Sequence, residues 1–89
     1  MLQRKIMINN KLGLHARASA KFVGVAGHYG CSIELVKGAQ KVNGKSIMGV
    51  MTLAASKGTE IELITEGDDE QAAMDELVNL INNKFGEAE

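Results

Sequence analysis

The stretch Lys11-Leu12-Gly13-Leu14-His15-Ala16-Arg17-Ala18-Ser19 sets a histidine at the mouth of a helix. Gly13 breaks the regular structure before it. From Ala16 to Ala26 the chain reads as a helix, with Ala16, Ala20 and Val23 recurring at one spacing and Ser19, Phe22 and Ala26 alongside. The first turn of a helix leaves backbone N–H groups without partners, and the aligned peptide dipoles place partial positive charge there. Such an end binds anions, phosphate included. A neutral imidazole beside it offers a ring nitrogen as a nucleophile. Histidine, anion cradle and Arg17 together describe a side chain that takes up a phosphoryl group, holds it and passes it on.

Upstream, Leu2, Ile6 and Ile8 share one parity with Gln3 and Lys5 opposite, the pattern of a half-buried strand. Asn9 to Gly13 is the loop that leads into the helix. Glycines between Gly27 and Gly30 are expected to end the helix in the left-handed conformation. Downstream, Ser32 to Lys37 alternates through Ile33 and Leu35, Gly38-Ala39 marks a turn, and Gln40 to Val42 forms the second arm of a hairpin. Ser46 opens a short apolar helix, Ile47 to Leu53, closed near Lys57-Gly58. Glu60 to Glu66 alternates strictly, with Ile61, Leu63 and Thr65 on one face and Glu60, Glu62 and Glu66 on the outer face of an edge or surface strand. Asp68 or Asp69 caps the last helix, with Gln71 placed for a capping box on Asp68. Ala73, Leu77, Leu80 and Ile81 form its apolar stripe, Phe85 extends it, and Gly86 ends it.

The order is β-α-β-β-α-β-α. Strands that alternate with amphipathic helices predict an α+β fold: a four-stranded antiparallel sheet with three helices packed on one face, an open-faced β-sandwich. Eighty-nine residues make one domain, 1–89. With a formal net charge of −1, two Phe, one Tyr and no Trp, the chain has neither the charge nor the stacking platforms of a nucleic-acid binder. Cys31 is the only cysteine, so no internal disulfide forms. Cys31 and His28 do not make a metal site by themselves, and Cys31 reads as a half-buried strand residue. No stretch resembles a signal peptide or approaches the roughly 20 apolar residues of a membrane span. These features predict a cytoplasmic protein without membrane insertion, cofactor or metal.

Gly13-Leu14-His15-Ala16-Arg17 resembles the active-site motif of the HPr family, the histidine-containing phosphocarriers of the bacterial phosphoenolpyruvate-dependent phosphotransferase system. Asn43-Gly44-Lys45-Ser46-Ile47-Met48-Gly49 is similar to that family's regulatory-serine region, and the likeness covers essentially the whole chain. The open-faced sandwich is also what this resemblance implies. It further implies that His15 takes a phosphoryl group on Nδ1 from enzyme I and gives it to enzyme IIA domains, in sugar transport. The protein would be a phosphoprotein and a transfer intermediate rather than a turnover enzyme. The backbone N–H groups of Ala16, Arg17 and Ala18 are the candidate phosphate cradle. Ala18 departs from the pattern, since most members have proline there and this chain contains none.

Arg17 is read as solvent-facing, opposite Ala16, Ala20 and Val23, with a guanidinium suited to phosphate or to a partner's carboxylates. Lys21 lies on the same stripe, as a solvated residue or part of a docking rim. Ser46 is the N-cap of the second helix; the resemblance adds regulatory phosphorylation by HPr kinase/phosphorylase. Val50, Leu53 and Ala54 are expected to face the sheet, leaving Ile47, Met48 and Met51 outward near His15 as an adaptable docking patch. Two close variants are a nitrogen-branch (NPr-like) carrier and a regulatory carrier in a truncated system. A non-catalytic binding module on the same fold would dispense with His15, and a ligand-binding domain would need a genuine pocket beside it. A monomer is the expected state.

Overall fold

The alternation at Glu60–Glu66 places the centre of the structure. The computed structural model describes residues 1–89. Its strands are β1 (Leu2–Met7), β2 (Ser32–Lys37), β3 (Gln40–Asn43) and β4 (Glu60–Glu66). Its helices are α1 (Ala16–Ala26), α2 (Ile47–Thr52) and α3 (Glu70–Asn82), and a single tight turn follows at Lys84–Gly86. The sheet is antiparallel with order β1-β4-β2-β3. β4 is therefore a central strand and not an edge, flanked by β1 and β2 with Ile6 opposite Ile61 and Leu63 opposite Leu35. Glu60 and Glu66 are exposed on the open face, while Ile64 on that face is covered between Gln3 and Glu34.

The other face carries the core. Ile6, Ile33, Leu35, Ile61 and Leu63 meet Phe22 from α1, Val50 from α2 and Leu77 and Ile81 from α3 in one apolar cluster. The buried side of α1 is Ala18, Ser19, Phe22 and Ala26. Ala16 and Ala20 are exposed and Val23 is half-buried, so the stripe that periodicity singled out is displaced by about a third of a turn. Alanines misled the reading because their small side chains fit either environment. Arg17 is exposed, as expected.

Several boundaries also shift. Gly27 closes α1 in the right-handed region (φ −67) and no left-handed glycine is used there. Ala54 is exposed in a left-handed turn (φ 50), and Ala55 takes the buried position expected for it. Cys31 is 3% exposed and precedes β2 rather than lying half-buried within it. α3 ends at Asn82, and Phe85 reaches the core from the following turn, where Lys84 (φ 57) and Phe85 (φ 55) are both left-handed. No helix is long and apolar enough to cross a membrane.

The start of α3 departs most instructively from the capping-box expectation. Asp69 is the N-cap residue but makes no cap bond within its helix. Its carboxylate instead accepts the N–H groups of Gly30 (2.8 Å) and Cys31 (2.9 Å), tying the α1–β2 connection to α3. The local cap is made by Glu70, whose Oε1 accepts the Gly67 N–H at 3.0 Å, while Gln71 bonds Asp75.

Two outcomes follow from this packing. Phe22→Ala empties a fully buried site in the middle of the cluster and is expected to cost about 3–5 kcal/mol in denaturant unfolding. The Gly30 N–H above all, then Cys31, holds the Asp69 carboxyl below its ordinary value. A carboxyl lowered in the folded state stabilises it above the ordinary Asp range, and that share is lost as pH falls through the folded-state value. The drop in melting temperature between neutral and acid pH is therefore expected to be smaller in Asp69→Asn than in the parent chain.

Candidate functional site

Gly13 fixes where the site begins. It is left-handed (φ 68), and a Cβ there would lie 2.3 Å from the Ala55 carbonyl oxygen and 2.8 Å from the Ser56 Cα. Only glycine lets the β1–α1 loop come this close to the segment after α2. The contact is sealed by the Leu14 N–H donating to the Ala55 carbonyl at 2.8 Å. Leu14 is buried, and its own carbonyl accepts the hydroxyl of the fully buried Ser19 at 3.2 Å. The chain is thus clamped on both sides immediately before His15.

His15 is the N-cap of α1, in extended conformation. Its carbonyl accepts the Ser19 N–H at 2.9 Å, and its ring Nδ1 accepts the Arg17 N–H at 3.2 Å. Its Nε2 meets Oε2 of Glu87. An acceptor role at Nδ1 and a carboxylate at Nε2 both define the tautomer with the proton on Nε2. The N–H groups of Ala16 and Ala18 have no acceptor within the chain. Ala16 is exposed, whereas Ala18 is fully buried. The helix end therefore presents one free, exposed donor at Ala16 and one lightly held donor at Arg17 beside the histidine, while the unpaired Ala18 N–H is covered.

The ring opens into a cleft of about 700 Å³ lined by Lys11, Leu12, Arg17, Glu87 and Glu89 among others. Arg17 is exposed and its guanidinium forms no ion pair. Lys21 is less free than its place on the exposed stripe implied, because its ammonium donates to the Phe85 carbonyl at 2.7 Å.

Ser46 stands at the N-cap of α2, where its Oγ accepts the Gly49 N–H at 3.1 Å. On that short helix Ile47 (40%), Met48 (69%) and Met51 (38%) are exposed while Val50 is buried. α2 packs alongside α1, so the serine and the apolar residues belong to the same helical layer as His15. Sequence reading missed Asn10, Leu12 and Glu87. The loop position of Asn10 gave no periodic signal, and Glu87 lies 72 residues from the histidine it touches.

A small open-faced α+β domain that offers a histidine and free N–H groups at one helix end is the kind of protein that carries an anionic group rather than enclosing a substrate. A family model described as the PTS HPr component phosphorylation site matches residues 2–83. The phosphocarrier protein HPr of Pseudomonas aeruginosa is 58% identical over 86 residues, covering 96% of each chain. Among solved structures, HPr-C-His from Thermoanaerobacter tengcongensis superposes with a TM-score of 0.96 at 48% identity, covering all of both chains. An HPr dimer from the same organism gives 0.79 at 49% identity over 98% of this chain and 100% of the other. The chain belongs to the HPr family of phosphocarrier proteins.

The clamp makes a direct forecast. Gly13→Ala is expected to destabilise the fold by more than ~1 kcal/mol, since the new methyl meets backbone that cannot swing away. Amide chemical-shift changes should concentrate at Leu14–Arg17 and Ala55–Ser56.

Proposed function

We propose that His15 is the residue that carries the phosphoryl group, taking it from phosphorylated enzyme I and giving it to enzyme IIA-type acceptors. The observation that carries this reading is the setting of the ring: Nε2 lies against the Glu87 carboxylate, and Nδ1 faces the helix end, where the Arg17 N–H reaches it. In the transfer, the Nδ1 lone pair forms the new bond to phosphorus while the donor's bond to phosphorus breaks, its electron pair leaving with the donor. The Arg17 N–H gives up Nδ1 and turns to a phosphoryl oxygen. The Ala16 N–H supplies a further donor, the Ala18 N–H another once movement of the ring uncovers it, and the Arg17 guanidinium neutralises charge from the solvent side. Such in-line transfer is mostly positioning and charge stabilisation, which an open site provides. The domain is an intermediate in transfer rather than a turnover enzyme.

Ile47, Met48 and Met51 form the apolar part of the docking surface, with Arg17 and Lys21 at its rim. Unbranched methionines repack on differently shaped partners, as a carrier that meets a donor and several acceptors in turn requires. Ser46 is the regulatory position: phosphate there would leave the cap geometry at a helix N-terminus and add roughly two negative charges beside the docking residues. The carrier acts as a monomer in the cytoplasm.

The deciding experiment incubates the protein with enzyme I and phosphoenolpyruvate and reads intact mass. One acid-labile phosphoryl group is expected on the parent chain and none on His15→Ala. Failure to incorporate it with a cognate enzyme I would overturn the carrier role of this histidine and favour a non-catalytic binding module.

A further inference from the structure

Asn10 is a polar residue with no exposure at all, in the loop between β1 and α1. Both N–H bonds of its amide are used: one to the Gly13 carbonyl at 2.8 Å, the other to Oε1 of Glu87 at 3.0 Å. Turning the amide over would set its oxygen against two acceptors, so its orientation is forced. Oδ1 is left buried without a partner. A side chain that accepts this cost at one end makes a strong arrangement at the other.

That arrangement is the placement of Glu87, whose side chain is only 14% exposed. Its two oxygens are divided, Oε1 to Asn10 and Oε2 to Nε2 of His15. The chain is brought there by the left-handed pair Lys84 and Phe85, by burial of the Phe85 ring, and by the Lys21 ammonium on the Phe85 carbonyl. Beyond Glu87, a main-chain oxygen of Glu89 accepts the Lys11 N–H at 2.9 Å, closing the segment over the loop. The Asn10 amide first, and the His15 ring after it, hold the Glu87 carboxyl below its ordinary value, so it is ionised where the ring needs an acceptor.

We infer that Glu87 and Asn10 are positioning residues for phosphoryl transfer. Glu87 keeps the proton on Nε2 and so selects Nδ1 as the nucleophile, and Asn10 holds the carboxylate in place. The inference rests on the carrier reading of His15. A ring that keeps its Nε2 proton while Nδ1 bonds phosphorus becomes formally cationic. An ionised carboxylate already against Nε2 stabilises that charge as it develops, with no reorganisation at the moment of transfer. An imidazole oriented by a carboxylate on its far nitrogen performs the same task in nucleophile-activating triads.

The test is Glu87→Gln, which preserves size. Asn10 can donate only to the amide oxygen of the substituted side chain, so the new NH₂ faces Nε2 and drives the ring proton to Nδ1. Nitrogen-15 spectra of the ring, taken at a pH where it is neutral, are expected to show the Nε2–H form in the parent chain. They should show a mixture in Glu87→Ala and the inverted Nδ1–H form in Glu87→Gln. Phosphorylation by enzyme I and phosphoenolpyruvate should slow by roughly tenfold or more, the scale of losing an orienting partner, and more in Glu87→Gln than in Glu87→Ala. An unchanged tautomer in Glu87→Gln, or a parent rate in both variants, would overturn the proposal. A mixture in place of inversion in Glu87→Gln would remove Asn10 from it. If the parent chain itself accepts no phosphoryl group, the carrier reading fails, and the ring spectra still decide the positioning role.

Discussion

The geometry of this protein hangs on one close approach, the backbone of Gly13-Leu14 lying against Ala55-Ser56. It requires a left-handed glycine on one side and, on the other, a loop that turns through the left-handed Ala54. Once the strands are brought together, the start of α1 has no freedom left. The Leu14 N–H is held by Ala55, the Leu14 carbonyl by Ser19, and the Gly13 carbonyl by Asn10 and the His15 N–H. Each bond alone is worth about 1 kcal/mol. Together they fix the backbone before His15 from several directions, the preorganisation that the proposed transfer at an open site calls for.

The same constraint separates the faces of the molecule. The helical layer that Gly13 locks together bears the histidine, the free N–H groups and the exposed Ile47, Met48 and Met51. The open face of the sheet bears alternating charges such as Lys5 opposite Glu62. On the proposed function, recognition and chemistry share one side, and the sheet supplies the rigid backing. The central position of β4 matters here, because its inner residues join β1 to β2 and so connect the strand before the active loop to the rest of the core.

Much of this was legible in the chain. Strict alternation located β4 to the residue, and the hairpin of β2 and β3 followed from Gly38-Ala39. The glycine-leucine-histidine run pointed to the candidate site because its residues stand within a few positions of one another. What was not legible depended on distance or on small side chains. The alanines of α1 do not declare which side they bury, and packing of Phe22 decided it. Asp69 looked like a local cap, but its carboxylate reaches back to Gly30 and Cys31, where two N–H groups outcompete its own helix. Glu87 gave no signal, since its partner lies at the opposite end of the chain and the turn that delivers it uses non-glycine residues in the left-handed region.

Ala18 shows how the pieces bear on one another. Its N–H is buried and has no acceptor in the chain, and an unsatisfied buried donor costs about 1–3 kcal/mol. Proline at this position would remove that donor and its cost together. On the carrier reading, the cost falls on the empty site and is relieved only when movement of the ring uncovers the donor to a phosphoryl oxygen, so the donor favours the phosphorylated state of His15 over the free one. In the positioning role inferred for it, Glu87 acts in the same direction from the opposite side of the ring, by balancing the charge that phosphorylation puts on the imidazole. The two effects work on different atoms, one on the phosphoryl oxygens and one on the ring. On that reading, alanine in place of proline exchanges some rigidity for one more donor to the group that His15 carries.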